Sequence, residues 1–219
     1  MSVNNARAAA TPPAAAAPPR AVIFDIGSVI LRLNIARALD VTGSGSGLSA
    51  KQVWRAVETD PLWNDWQEGK IDPHDWHRHL VQTIGSPADY DLFCAAWNSV
   101  FEPEPIIGDD LFRALSARCR LGLLSNIDPL HVAHMERDFS FVKYFPVRVY
   151  SCRVGARKPA PEIYRRALEE LGVAASDTLY IDDIAEFADA ARALGMIGFH
   201  FTGLAALEPE LRRYGLPTT

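Results

Sequence analysis

Three short apolar runs in this chain each end on a polar residue: Ala21 to Phe24 before Asp25, Leu121 to Leu124 before Ser125, and Thr178 to Ile181 before Asp182. Runs of this length, without polar alternation, are the pattern of parallel strands buried on both faces. Val147 to Tyr150 and Met196 to Phe201 are two weaker candidates. Between the runs lie segments of helical period, namely Asp109 to Arg118, Pro129 to Arg137, Pro161 to Leu171, and Ala185 to Leu194 closed by Gly195. The alternation predicts an α/β fold with a doubly wound parallel, Rossmann-like sheet and crossover helices. Ligands of such sheets sit beyond the carboxyl ends of the strands, where Asp25, Ser125 and Asp182 fall.

Roughly ninety residues separate Phe24 from Leu121, where one βα connection needs about a third of that. The stretch from Asn34 to Pro105 has helical patterning around Ala50 to Glu58, Pro73 to Ile84 and Pro87 to Asn98, with no convincing strand. It also holds all five tryptophans, so it reads as an inserted α-helical cap with its own aromatic core. The expected division is a leader over 1–20, an α/β core over 21–33 and 106–219, and a cap over 34–105. The leader is a composition break, with eight Ala, four Pro, two Arg and no acid, and is expected to be disordered. Its prolines spoil a transit helix and it lacks a signal-peptide apolar stretch.

A net charge of -5 gives no basic surface for a nucleic-acid or anionic-membrane partner. No segment reaches the roughly 18 apolar residues of a membrane span, and the expected location is cytoplasmic. The cysteines Cys94, Cys119 and Cys152 form no Cys-x-x-Cys pair and read as buried thiols.

Four polar clusters would converge at one sheet edge: Asp25, Ser125-Asn126, Arg157-Lys158-Pro159 and Asp182-Asp183. Three carboxylates in one place repel unless a cation intervenes, and oxygen-only donors favour a hard divalent ion such as Mg²⁺. Lys158 would add positive charge, Ser125 and Asn126 hydrogen-bond donors, and a carboxylate would stand ready to attack phosphorus.

Phe24-Asp25-Ile26-Gly27-Ser28-Val29, Leu124-Ser125-Asn126, Gly155-Ala156-Arg157-Lys158-Pro159 and Tyr180-Ile181-Asp182-Asp183 resemble the four ordered motifs of the haloacid dehalogenase superfamily. The insert is similar to the cap of its subgroup with sugar-phosphate phosphatases and epoxide-hydrolase phosphatase domains, and Trp66-Gln67-Glu68-Gly69-Lys70-Ile71 resembles a recurrent segment of that cap. The resemblance implies that Asp25 is the nucleophile of an aspartyl-phosphate pathway. It implies that Asp25, the Gly27 carbonyl, Asp182 and Asp183 bind Mg²⁺, that Ser125 and Asn126 hold the phosphoryl oxygens, and that Lys158 orients Asp25. Glu186 stands where most members have Asp. The implied activity is Mg²⁺-dependent phosphomonoester hydrolysis of a small, sugar-like phosphate.

Gly27 departs from the family pattern, because most of its phosphatases carry there an Asp that protonates the leaving oxygen, help worth about 10²–10⁴-fold. Three alternatives therefore stand beside the phosphatase: a catalytically impaired phosphate- and metal-binding protein, a dehalogenase, and a phosphonate hydrolase using Lys51 or Lys70. Trp63 and Trp66 are candidates to stack on a substrate ring, and His74 or His77 to replace the missing acid. The glycine-rich run Gly43 to Gly47 lacks the features of a phosphate loop and reads as a cap loop.

Overall fold

A computed structural model describes residues 17–218, so the disorder expected of the leader falls almost wholly outside the described residues. In chain order, β1 (Ala21–Phe24) and β2 (Leu31–Leu33) lead into the helices α1 (Ile35–Thr42), α2 (Ala50–Glu58), α3 (Trp63–Gln67), α4 (Pro73–Ile84) and α5 (Tyr90–Asn98). After β3 (Phe101–Pro105) come α6 (Asp109–Ser116), β4 (Arg120–Ser125), α7 (Pro129–Asp138), β5 (Val147–Tyr150) and α8 (Ser151–Val154). The chain closes with α9 (Pro161–Leu171), β6 (Thr178–Asp182), α10 (Ala185–Ala193), β7 (Ile197–His200) and α11 (Leu204–Arg213).

β1 lies at the centre of a parallel sheet ordered β5-β4-β1-β6-β7. Its residues are fully buried and alternate between two cores. Val22 and Phe24 meet apolar residues of α6, α7 and α11, while Ala21 and Ile23 meet those of α9 and α10. Helices on both faces explain why the strand reads as a continuous apolar run. Phe24 pairs with both Leu123 and Ile181, so Asp25, Ser125 and Asp182 emerge together at one end of three neighbouring strands.

The insert packs α1 to α5 around a separate core that includes Val53, Val57, Trp66, Trp76, Leu80, Phe93 and Trp97. Trp66 and Trp76 are fully buried and stacked, with ring centroids 5.4 Å apart. Two expectations need correction. The insert was expected to hold no strand, yet β3 pairs antiparallel with β2 through Leu31↔Pro105 and Leu33↔Phe101. Its sequence, Phe-Glu-Pro-Glu-Pro, carries residues disfavoured in strands and is tolerated because the ribbon has only two strands. The third predicted cap helix starts at Tyr90, not Pro87, because Asp89 caps it by accepting the Leu92 N–H.

The segment beginning at Trp66 docks the insert onto the sheet domain. Gly69 has φ +71°, and a Cβ there would run into the Cys152 carbonyl oxygen of α8. Ser151 Oγ donates to the Gln67 carbonyl at 2.7 Å and accepts from the Ile127 N–H at 2.9 Å. Arg157 also hydrogen-bonds to Asn64 across the same seam. Among the described residues no helix is long and apolar enough to cross a membrane.

Candidate active site

Asp25 follows β1, and its N–H donates to the Ile181 carbonyl at 2.9 Å, so the sheet ladder fixes the backbone that presents this carboxylate. Asp182 ends β6 fully buried. Its Oδ1 accepts the Ile184 N–H at 2.8 Å, and its Oδ2 accepts from the Tyr180 hydroxyl and from Lys158 Nζ, the latter at 2.6 Å. Lys158 arrives from the loop between α8 and α9, and Asn126 clamps that loop. Asn126 Nδ2 donates to the Lys158 carbonyl at 3.0 Å while the Lys158 N–H donates to Asn126 Oδ1 at 2.7 Å.

Lys158 Nζ lies 2.9 Å from Asp25 Oδ1 and 5.0 Å from the centre of the Phe187 ring. Its hydrogen bond is directed at Asp182, which leaves Asp25 Oδ1 beside a positive charge but without a well-directed donor. Burial opposes the charge on Lys158, yet Asp25 and Asp182 outweigh it and raise its pKa, keeping the amine protonated. Burial pushes Asp25 up to about 6 against the pull of Lys158, with Asp182 adding to the rise. Asp183 is half-buried and raised by burial and by Asp182.

Asp25, Asp182 and Asp183 each offer an oxygen, all within 4.8 Å of one another. One lysine offsets one of three negative charges. The excess charge, the oxygen-only donors and the undirected Asp25 Oδ1 together fit a hard divalent cation such as Mg²⁺.

A cavity of about 270 Å³ opens over this cluster. Asp25, Gly27, Ser125, Asn126, Lys158 and Asp183 line it, and Asp182 lies beneath. Asn126 was expected to hold phosphoryl oxygens, but its carboxamide is spent largely on Lys158, so a positioning role is the one its contacts display. Glu186 is exposed in the first turn of α10 and stands outside the carboxylate trio. Ser28 adopts φ 57°, the left-handed region, where the chain reverses after Gly27.

Several cap expectations do not reach the cavity. Trp66 is core, whereas Trp63 lines the wall together with Trp54 and Trp97. His74 stacks on Tyr90, and His77 bonds the Ala88 carbonyl at 3.0 Å; neither lines the cavity. Lys70 pairs with Asp65 and Glu68 at the surface, Lys51 is exposed, and among the described residues Lys158 is the lysine on the cavity wall. The Gly43 to Gly47 turn also lies away from the wall.

A histidine missed in the sequence does reach it. Asp128 caps α7 by accepting the His131 N–H at 3.0 Å. Its Oδ2 faces His131 Nδ1 at 2.7 Å and accepts from Trp97 Nε1 of the insert at 3.1 Å. His131 Nε2 faces the Trp97 carbonyl at 3.0 Å. With acceptors at both ring nitrogens, the imidazole holds two protons. Burial opposes that charge but Asp128 outweighs it and raises the His131 pKa; burial likewise opposes ionisation of Asp128, and His131 outweighs it and lowers the pKa. The signal was present as Asp128-Pro129-Leu130-His131, a helix start with His three residues past its cap.

The haloacid dehalogenase-like hydrolase family model matches residues 19–195. The chain belongs to this family. It is 27% identical over 196 residues to a sesquiterpene phosphatase of Aspergillus oryzae, covering 89% of this chain and 95% of that one. It is 23% identical to a D-ribitol-5-phosphate phosphatase of Bacteroides thetaiotaomicron, over 74% of this chain and 82% of the other. A crystal structure of a haloacid dehalogenase family enzyme from Bacteroides thetaiotaomicron, complexed with magnesium and inorganic phosphate, superposes with a TM-score of 0.76 at 23% identity. That match covers 84% of this chain and 95% of the other, and it shows the shared fold.

Proposed function

We propose that this haloacid dehalogenase-like phosphatase is a Mg²⁺-dependent phosphomonoester hydrolase working through an aspartyl-phosphate on Asp25. The observation that carries the reading is the trio Asp25, Asp182 and Asp183 gathered beside Lys158 at one end of the cavity. An Asp25 carboxylate oxygen attacks phosphorus, the ester P–O bond breaks, and the alkoxide leaves with a proton drawn from water. Water then attacks phosphorus, the bond to Asp25 breaks, and phosphate and the free carboxylate are regenerated. Ser125 and the Asn126 N–H would hold phosphoryl oxygens, and Lys158 would keep Asp25 ionised and aligned. Mg²⁺, held by Asp25, Asp182, Asp183 and the Gly27 carbonyl, would neutralise charge on the phosphoryl group.

A small phosphorylated metabolite is the substrate class in this reading. The D-ribitol-5-phosphate relative supports the sugar-like substrate expected above; the sesquiterpene relative points to a hydrocarbon instead. The test is phosphate release from a panel of phosphomonoesters with and without Mg²⁺, in wild type and in Asp25→Asn. Asp25→Asn should lose at least about 10⁴-fold in kcat, as removal of a nucleophile does. Release that survives in Asp25→Asn refutes the mechanism, and metal binding without release from any ester supports the impaired binding protein.

Gly27 is not required by its backbone, because its φ is ordinary and a Cβ there meets only Leu33 Cδ1 at 3.0 Å. Leu33 is 36% exposed and free to turn aside. Gly27→Asp is therefore expected to fold and to raise turnover of alkyl phosphates at least about tenfold, with little change on p-nitrophenyl phosphate, whose leaving group needs no acid. An equal effect on both esters would show that leaving-group protonation is not what limits the wild type.

A further inference from the structure

The residues assigned to chemistry occupy one end of the cavity. The rest of its wall is hydrocarbon: Leu33, Ile35, Leu39, Trp54, Trp63 and Phe101. Apart from the phosphate end, the polar groups on that wall are Gln67, His131 and the indole N–H groups of Trp54, Trp63 and Trp97; the Trp97 N–H is bound to Asp128, and His131 has both ring nitrogens committed to Asp128 and to the Trp97 carbonyl. A second observation concerns the exposure of that lining. Six large apolar side chains among the described residues are exposed, and three of them, Leu33, Ile35 and Ile184 at 36%, 43% and 44%, converge on this one cavity. Scattered exposed apolar residues are ordinary, whereas clustering around a concave site marks a binding surface.

We propose that the substrate is the phosphate monoester of an aliphatic alcohol, its hydrocarbon chain running from the Asp25–Lys158 end along the wall formed by Leu33, Ile35, Trp54 and Trp63. The proposal rests on the phosphomonoesterase reading and names its substrate class. A sugar placed here would strip its hydroxyls of water and find in return one free carboxamide and at most the two indole N–H donors of Trp54 and Trp63. Each hydroxyl left unpaired costs roughly tenfold in affinity. A chain of methylenes loses nothing and gains up to about fourfold for each one fully buried. The cavity's 270 Å³ must also hold the phosphoryl group, so the gain per methylene ends once the space beyond that group is filled.

The experiment is kcat/KM for n-alkyl phosphates from ethyl to dodecyl, beside glucose 1-phosphate, glucose 6-phosphate and p-nitrophenyl phosphate, all with Mg²⁺. The expected result is a rise of up to about fourfold per methylene that levels off before dodecyl, with both sugar phosphates below hexyl phosphate. Ile35→Ser and Leu33→Ser, both at exposed positions, should flatten the rise, mainly through KM. Hydrolysis of p-nitrophenyl phosphate that depends on Asp25, combined with no chain-length dependence or with a preference for a glucose phosphate, overturns this inference and leaves the phosphatase reading standing. Release from none of the esters overturns both.

Discussion

Lys158→Met is expected to lower unfolding free energy by about 3–5 kcal/mol in the absence of divalent ions and to slow phosphate release about 10²–10³-fold. The lysine side chain is 1% exposed and pairs with two carboxylates that are themselves 11% and 0% exposed. Removing one partner of a buried ion pair leaves charge with neither water nor a counterion, the costly direction of such a change. Methionine fills much of the same volume, so the loss reports charge and not a void. The same variant should gain more thermal stability from added Mg²⁺ than the wild type does, because its carboxylates then have the ion as their sole counter-charge. Melting temperatures with and without Mg²⁺ measure this. Equal shifts in the two proteins would mean that Lys158 and the ion do not share the job of neutralising Asp25 and Asp182.

A second large effect is expected away from the chemistry. Asp128→Ala should cost about 3–5 kcal/mol near pH 6, of which the lost helix cap accounts for about 1 kcal/mol. Asp128 is 1% exposed and serves the His131 backbone, the His131 ring and the Trp97 indole together, so its removal strands three donors. The pH dependence has a defined sign. His131 has a raised pKa, so its contribution is complete below the ordinary value of 6.5 and is lost as pH rises through the raised one. Asp128 has a lowered pKa, so its contribution is complete above the ordinary 3.8 and is lost as pH falls through the lowered one. Urea titrations of wild type and Asp128→Ala should show their widest separation between those limits and a narrowing gap toward alkaline pH. A gap that stays constant from pH 5 to 9 would show that the imidazole is neutral throughout. Because Trp97 belongs to α5 and His131 to α7, the loss should also raise KM by loosening the insert over the cavity.

The sheet was legible because four-residue apolar runs bounded by Asp25, Ser125 and Asp182 have few other physical readings, and the registers bring those ends together. Pro161 to Leu171 and Val147 to Tyr150 match their elements residue for residue, since a proline start and a glycine stop punctuate the first, and the second is a short apolar run whose Val149 and Tyr150 are buried on opposite faces. What stayed hidden depended on partners far along the chain. Nothing near Asn126 announces that its amide clamps a loop 32 residues away, and nothing near Trp97 announces a bond to Asp128, 31 residues on. Trp63 and Trp66 look alike in the sequence; a single helical turn places one on the wall and the other in the core. Phe101–Pro105 was missed because its residues argue against a strand until β2 lies beside it.

The ribbon of β2 and β3 has a consequence for how such a protein can change over time. The chain leaves the sheet domain at Leu31–Leu33 and returns at Phe101–Pro105, so both crossings lie side by side and the stretch between them contributes no strand to the parallel sheet. Most of the hydrocarbon wall belongs to that stretch, while Asp25, Ser125, Lys158 and Asp182 lie outside it. Insertions, deletions and substitutions between the crossings can therefore revise the cavity wall while the polar cluster at the strand ends keeps its register. Selectivity and reactivity are inherited through different segments of one chain.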